Sequence, residues 1–303
     1  MPDYAILPSM DTRLLKLFLS LTDTLHFGRA SELNHISPSA LSRSIKQLED
    51  EVGVALFERN NRTVTLTHEG ELFREYAREA LLQWDVIRDS LMEEAEELHG
   101  EISVYCSVTA SYSFLYDILS QFRLNHPGVE IKLHTGDPEH AIGHILSGTE
   151  DITIAARPAP LPTGVAFKPI AISPLLFIAP AEQGPLDALL QTPIRDDHWA
   201  QIPMILPESG IGRQRVDEWF EQMSQKPTIY AQVAGNEAIV SMVSLGFGVG
   251  VVPRIVLDNS PLADRVQVLN VQPELEAYDV GLFALEKKLK SPLIRAFWEQ
   301  LKG

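Results

Sequence analysis

Apolar residues recur at helical spacing through the first hundred positions of this chain, and short apolar runs alternate with helical ones after that. Leu14, Leu15, Phe18, Leu19 and Leu21 make a first stripe, with Asp11 or Thr12 placed to cap it. Phe27, Ala30 and Leu33 make a second, and a short join through Asn34, His35 and Ile36 leads to a third. There Ser37 and Pro38 mark a helix start: a hydroxyl to accept from free N–H groups, then a residue with no N–H to lose. Leu41, Ile45 and Leu48 give this helix a buried face, while Ser39, Ser42, Arg43, Lys46 and Gln47 populate the other, with no acid before Glu49. Leu56-Phe57 and Val64-Thr65-Leu66-Thr67 then flank the polar tip Asn60-Asn61-Arg62, the pattern of a two-stranded wing. Helix, turn, helix and wing together predict a DNA-reading head, with short hydroxyls, an amide and cations of the kinds that reach phosphates and base edges.

Beyond Thr67 the pattern predicts one long helix to about Leu98. Phe73, Ala77, Ala80, Trp84, Ile87 and Leu91 step by four and three along a heptad seam, which on an isolated rod needs a partner. At about 1.5 Å per residue, roughly thirty residues make a rod of about 45 Å. Its acidic end, Glu93, Glu94, Glu96 and Glu97, reads as a solvated face, and Gly100 closes it. From Glu101 the expected order is strand Ile102–Val108, helix Tyr112–Asn125, strand Val129–Thr135, helix Glu139–Leu146 and strand Ile152–Ala155, an α/β domain with a largely parallel sheet. Val165–Ile170 and Pro174–Ala179 read as strands crossing into a second lobe, and Val266–Leu269 with Val280–Leu285 as the return. The fold class is therefore α+β multidomain. Residues 1–10 are an expected disordered extension, 11–67 a winged helix-turn-helix, 68–99 a linker and dimerisation helix, and 100–303 a two-lobed α/β effector-binding domain like the periplasmic binding proteins. Lobe I would hold about 100–164 and 267–303, and lobe II about 165–266.

Charge sharpens this division. The chain of 303 residues has a net charge of −16, awkward for a DNA binder. Residues 1–67, however, hold seven Lys and Arg against eight Asp and Glu, a balance of −1, so the acidity lies outside the reading head. That argues against indiscriminate nucleic-acid binding and for a local, geometry-dependent contact. No apolar run approaches membrane-spanning length and no leader is evident, so a cytoplasmic protein without a membrane partner is expected. Cys106, the single cysteine, has no partner for an internal disulfide and reads as a small buried hydrophobe, with a redox sensor the less supported alternative.

Two lobes have a cleft between them, and open sheets bind ligands at strand carboxyl ends. The run CSVTASYS from Cys106 to Ser113 ends one strand and opens one helix, offering Ser107, Thr109, Ala110 and Ser111. Thr135 and Gly136 sit equivalently after the next strand, and Ser209, Gly210 and Asn236 at corners of the second lobe. Hydroxyls and free N–H groups without a buried cation suit a small carboxylate, although each such residue could equally be an ordinary helix cap. His140 and His144 stand at i, i+4 but lack a third ligand and read as surface histidines. GFGVGVVP, Gly246 to Pro253, has neither the spacing nor the preceding strand of a nucleotide loop. No catalytic constellation, resident cofactor or metal site is expected, and the chain is not read as an enzyme.

The reading head resembles that of the LysR-type transcriptional regulators in Phe18, Phe27, Ala30, Leu33, the SALSRSIKQLE run from Ser39 to Glu49, Gly53, the LFER run from Leu56 to Arg59, Leu66-Thr67 and Gly70. The family usually has Ala where this chain has Ser31, and often Gln where it has Pro38. The resemblance extends over essentially the whole chain. Other stretches are similar to the branch of the family that activates the acetohydroxy acid isomeroreductase gene of branched-chain amino acid synthesis. They include HFGR at His26–Arg29, NNRTVTLT at Asn60–Thr67, HPGVEIKLHTGD at His126–Asp137, GNEAIVSMVSLGFGVG at Gly235–Gly250, DNSP at Asp258–Pro261 and PLIRAFW at Pro292–Trp298. The resemblance implies a homodimer or homotetramer on an interrupted palindrome of double-stranded DNA, with Pro38, Ser39, Ser42, Arg43, Lys46 and Arg62 at the DNA. It implies RNA polymerase as a partner and acetolactate or acetohydroxybutyrate as a small-molecule co-inducer between the lobes, closure of which relaxes a DNA bend. A regulator of another pathway sensing a different small carboxylate, and more remotely a solute-binding protein or enzyme of the same two-lobed fold, remain alternatives.

Overall fold

The computed structural model describes residues 11–59, 63–93, 98–191 and 194–301. The expected extension at 1–10, the wing tip Asn60-Asn61-Arg62 and the acidic Glu94, Glu96 and Glu97 lie outside the described residues. The chain divides into two compact units, residues 1–91 and 92–303.

The first unit opens with α1, Thr12–Thr24, whose cap is Asp11, accepting from Arg13 N–H. α2, Phe27–Leu33, and α3, Pro38–Val52, follow. Asn34 closes α2, and His35, at φ 51°, turns the chain towards α3. The Ser37 hydroxyl accepts from Ala40 N–H at 3.2 Å, the cap that the Ser-Pro pair predicts. Phe18 is the centre of the core, fully buried with Leu41, Ile45 and Leu48 and in edge contact with Phe73 at 5.0 Å. Emptying such a site costs about 3–5 kcal/mol. The wing is an antiparallel pair, β1 Phe57–Arg59 and β2 Val64–Leu66, with Phe57 opposite Leu66.

α4, His68–Glu93, begins against the wing. Thr67 caps it, its hydroxyl donating to Ala55 O and accepting from Gly70 N–H, each at 2.8 Å. A Cβ on Gly70 would fall 2.1 Å from Leu56 O, so only glycine permits this approach. The helix is described to Glu93, and the end expected at about Leu98 follows residues 94–97, which lie outside the described residues. Its 26 residues make about 39 Å. Leu98 is not helical and is partly buried on the core of the second unit. The heptad seam divides: Phe73 and Ala77 are buried in the first unit's core, whereas Trp84, Ile87 and Leu91 are 51%, 56% and 65% exposed.

The second unit contains two five-stranded sheets. The chain enters β3, Gly100–Cys106, then runs through α5 (Val108–Ala110), a π-helical turn at Ser111–Leu115 and α6 (Tyr116–Asn125) without a break. The expected strand to Val108 thus stops two residues early, and the expected helix from Tyr112 starts four early, because the Ser107 hydroxyl caps at Ala110 N–H (3.1 Å). β4 forms over the expected Val129–Thr135, followed by a 3-10 turn at Pro138–His140, α7 Ala141–Ser147 and β5 Ile152–Ala156. β6 is Val165–Ser173 and β7 is Leu175–Pro180. Then come α8 Asp196–Trp199, β8 Pro203–Pro207, α9 Gly210–Gln222, β9 Thr228–Val233, α10 Asn236–Ser244, β10 Val249–Pro253 and α11 Arg254–Asp258. β11 Val266–Val268, β12 Tyr278–Leu285 and α12 Pro292–Glu299 complete the order.

Lobe I has strand order β4-β3-β5-β12-β6 and lobe II β11-β7-β10-β8-β9. In each, three neighbouring strands pair in parallel and one reversed strand, β12 or β7, makes two antiparallel pairings, so four of the five strands share one direction. The crossings also differ from expectation. β6 pairs along β12 and stays in lobe I, while β11 pairs with β7 and stays in lobe II. Lobe II therefore starts after Ser173 instead of at 165, and the return lies between Val268 and Tyr278 instead of near 267. Pairing partners a hundred residues away decide this, and no local pattern encodes them. Both faces of each sheet are covered, lobe II on one side by a cluster of Phe177, Trp199 and Trp219 with ring centroids 4.9–5.1 Å apart.

Candidate functional site

α3 presents Pro38, Ser39, Arg43 and Lys46 exposed on one side, with Ser42 half-buried between them. Spacings of three and four place Ser39, Arg43 and Lys46 on successive turns of one face. Arg43 Nε donates to Ser39 O at 3.4 Å, which steadies the guanidinium along the helix. Neither Arg43 nor Lys46 has an ion pair with another described residue. Glu49, the first acid on the helix, turns away into the wing. Its Oε1 accepts from Leu56 N–H (3.0 Å) and Phe57 N–H (3.1 Å), and its Oε2 pairs with Arg59 at 2.6 Å. Arg59 in turn lies over the Phe27 ring at 5.1 Å. The reading face is thus left cationic because its nearest carboxylate is spent on wing geometry, a role for Glu49 that spacing alone did not show. Arg62, the remaining expected DNA contact, lies outside the described residues.

Between the lobes of the second unit are two adjoining hollows that share Pro138, Ala156, Asn236 and Tyr278. One is lined also by Ser107, Thr109 and Ala110, the other by Ser209 and Gly210. Six of the nine expected effector residues are therefore brought to the cleft. Ser111, Thr135 and Gly136 are not. The Ser111 hydroxyl donates to Val108 O at 2.6 Å, within its own helical turn. Thr135 and Gly136 are exposed at the end of the edge strand β4, and Gly136 serves packing: a Cβ there would fall 2.4 Å from the Tyr105 hydroxyl, which donates to Asp137 O. The corner reaches the cleft one step later, through Asp137, Pro138 and Glu139.

Among the described residues lining the two hollows there is no Lys or Arg, whereas Asp137, Glu139 and Glu208 are present. An anion here depends on N–H groups and hydroxyls. Thr109, 5% exposed, offers both: its N–H and Oγ1 donate to Glu237 Oε1 at 3.3 and 2.5 Å. The Tyr278 hydroxyl is a further donor that local sequence did not single out. Burial pushes its pKa up to about 12, so it stays protonated. Gly212 exists to admit it, since a Cβ there would lie 2.4 Å from that hydroxyl. Apolar Phe114, Ile154, Val256 and Val280 complete the wall.

The other singled-out residues have plain roles. His144 stacks on Tyr105 at 4.3 Å and shares a hydrogen bond with Thr149, while His140 is exposed. Cys106 is buried at the end of β3, and burial pushes its thiol up to about 12. Among the described residues no helix is long and apolar enough to cross a membrane.

Residues 12–71 match the family model described as bacterial regulatory helix-turn-helix protein, lysR family, and residues 95–303 match the LysR substrate binding domain. The chain is 43% identical to the HTH-type transcriptional regulator IlvY of Escherichia coli (strain K12) over 295 residues, 96% of this chain and 99% of that one. It is 44% identical, with the same coverage, to the HTH-type transcriptional activator IlvY of Salmonella typhimurium. Among solved structures, a full-length OxyR variant from Pseudomonas aeruginosa superposes with a TM-score of 0.68 at 25% identity, covering 96% of this chain and 94% of that one. A helix-turn-helix with a cationic face, a two-lobed domain with a hydroxyl-lined cleft, and matches across both units place the chain in the LysR family of DNA-binding transcriptional regulators.

Proposed function

We propose that this regulator activates the acetohydroxy acid isomeroreductase gene when acetolactate or acetohydroxybutyrate binds between its lobes. The pathway rests on the stretches quoted above and on the match along nearly the whole chain to proteins named IlvY. The ligand class rests on one observation: Thr109 holds a carboxylate oxygen with its N–H and hydroxyl together. A small hydroxylated keto acid would set its carboxylate there, its hydroxyl and carbonyl towards Asn236 and the Tyr278 hydroxyl, and its alkyl group on Phe114 and Ile154. The acidic lining at Asp137, Glu139 and Glu208 favours a single carboxylate over two.

At the DNA, Pro38, Ser39, Ser42, Arg43, Lys46 and Arg62 would meet phosphates and base edges, α3 in the major groove and the wing at the backbone. Pairing of two chains along α4 would set two heads on an interrupted palindrome, and two such dimers a tetramer. Effector binding must favour one lobe arrangement over another to alter the DNA bend and the recruitment of RNA polymerase.

Footprinting upstream of the isomeroreductase gene at fixed salt, with and without acetolactate, tests the whole reading. Protection of a palindromic site whose bend-sensitive cleavage changes with acetolactate is the expected result. Protection indifferent to acetolactate discards the ligand, and absence of protection discards the target gene.

A further inference from the structure

The hydroxyls at one helix start in each lobe are already engaged by a carboxylate of the opposite lobe. Glu237, in the first turn of α10 in lobe II, accepts from the N–H and hydroxyl of Thr109 in lobe I. Glu139, beside lobe I's β4, accepts from the hydroxyl of Ser209 in lobe II. The Glu237 contact joins residues 128 positions apart and, with Ser209–Glu139 and Asn259–Ser113, ties one lobe to the other through side chains. Thr109 has one amide proton and one hydroxyl proton, and both point at the same oxygen. A second carboxylate cannot be accepted there while Glu237 remains, because the donors are used and two like charges would meet with no cation lining the hollow.

We propose that Glu237 is an internal competitor of the effector: its side chain occupies the carboxylate position at Thr109, and a ligand carboxylate binds by displacing it. This rests on the reading that the effector's carboxylate is received at Thr109. Two consequences follow from the geometry. Apparent affinity is lowered by the fraction of molecules in which Glu237 is seated, so Glu237 sets the concentration to which the regulator responds. Displacement also breaks a lobe-to-lobe tie, which gives the ligand different contacts in the two arrangements and so a means of shifting between them.

The test is calorimetric titration of acetolactate into the full-length wild type, Glu237→Gln and Thr109→Val at fixed salt, with hydrogen exchange at the Thr109 amide measured on the same proteins. Glutamine keeps the size of the side chain and removes its charge. The expected result is binding about tenfold tighter or more in Glu237→Gln, the gain when a seat occupied nine-tenths of the time is vacated, and weaker binding in Thr109→Val. Equal or weaker binding in Glu237→Gln, with Thr109→Val impaired, overturns the competition and leaves the effector at Thr109. Wild-type binding in Thr109→Val overturns the effector position and the competition together. If acetolactate binds none of the three, exchange decides. A faster Thr109 amide in Glu237→Gln supports Glu237 as the internal occupant and discards acetolactate as the ligand, and an unchanged rate overturns the proposal.

Discussion

Arg43 and Lys46 have no ion pair among the described residues partly because Glu49, near them on the reading helix, faces the wing. Two consequences separate these roles. Arg43→Ala is expected to lose about 1–3 kcal/mol of operator binding, tenfold or more, with oligomeric state unchanged. Fluorescence anisotropy at fixed salt measures it, and unaltered affinity removes Arg43 from the DNA. Glu49→Ala instead strips two amides and a guanidinium of a charged acceptor, at an expected cost of about 2–3 kcal/mol in the stability of the first unit. Faster exchange of the Leu56 and Phe57 amides would locate that loss in the wing. In the cleft, Tyr278→Phe removes a neutral donor and is expected to weaken effector binding about fivefold to tenfold. Cys106, its thiol held protonated by burial up to about 12, is expected to resist thiol reagents at pH 8 until the protein unfolds. Rapid labelling of the native protein would restore the redox reading. Ser37 and Asp11 were legible as residues because capping is a local matter between a side chain and the next few N–H groups. The partners of Glu49 and Glu237 were not, because they lie beyond one helical turn, seven to ten residues on for Glu49 and 128 back for Glu237.

Elements were legible where periodicity and punctuation agreed. β4 runs over the expected residues, set off by the Pro127-Gly128 turn, and α3 lies between Ser37 and Gly53, whose φ of 81° ends it. The helix from Val108 was not, since Cys106-Ser107-Val108 continues a strand-like run and only the Ser107 cap stops it. α4 carries two kinds of apolar surface on one seam. Its first half is consumed by Phe18 and its neighbours, while Trp84, Ile87 and Leu91 remain available to a second copy of the chain. Trp84→Glu is expected to reduce the assembly towards monomers of 33.8 kDa in light scattering without lowering the stability of the first unit. Retention of the full assembly would place the dimer contact elsewhere.

For the molecule as a whole, hydrophobic spacing, caps and the separation of charge determined a reading head, a long helix and a two-lobed α/β domain, because these follow from interactions within about one turn or one strand pair. The placement of six of the nine candidate residues along one cleft was legible in the same way, as strand-to-helix corners that open sheets gather at their carboxyl ends. Only the tertiary structure decided which sheet takes β6 and β11, that Gly136 supports Tyr105 instead of lining the cleft, and that Glu237 crosses to Thr109. Each of these depends on chain segments brought together from far apart, where the energy lies in a partner that no local pattern names.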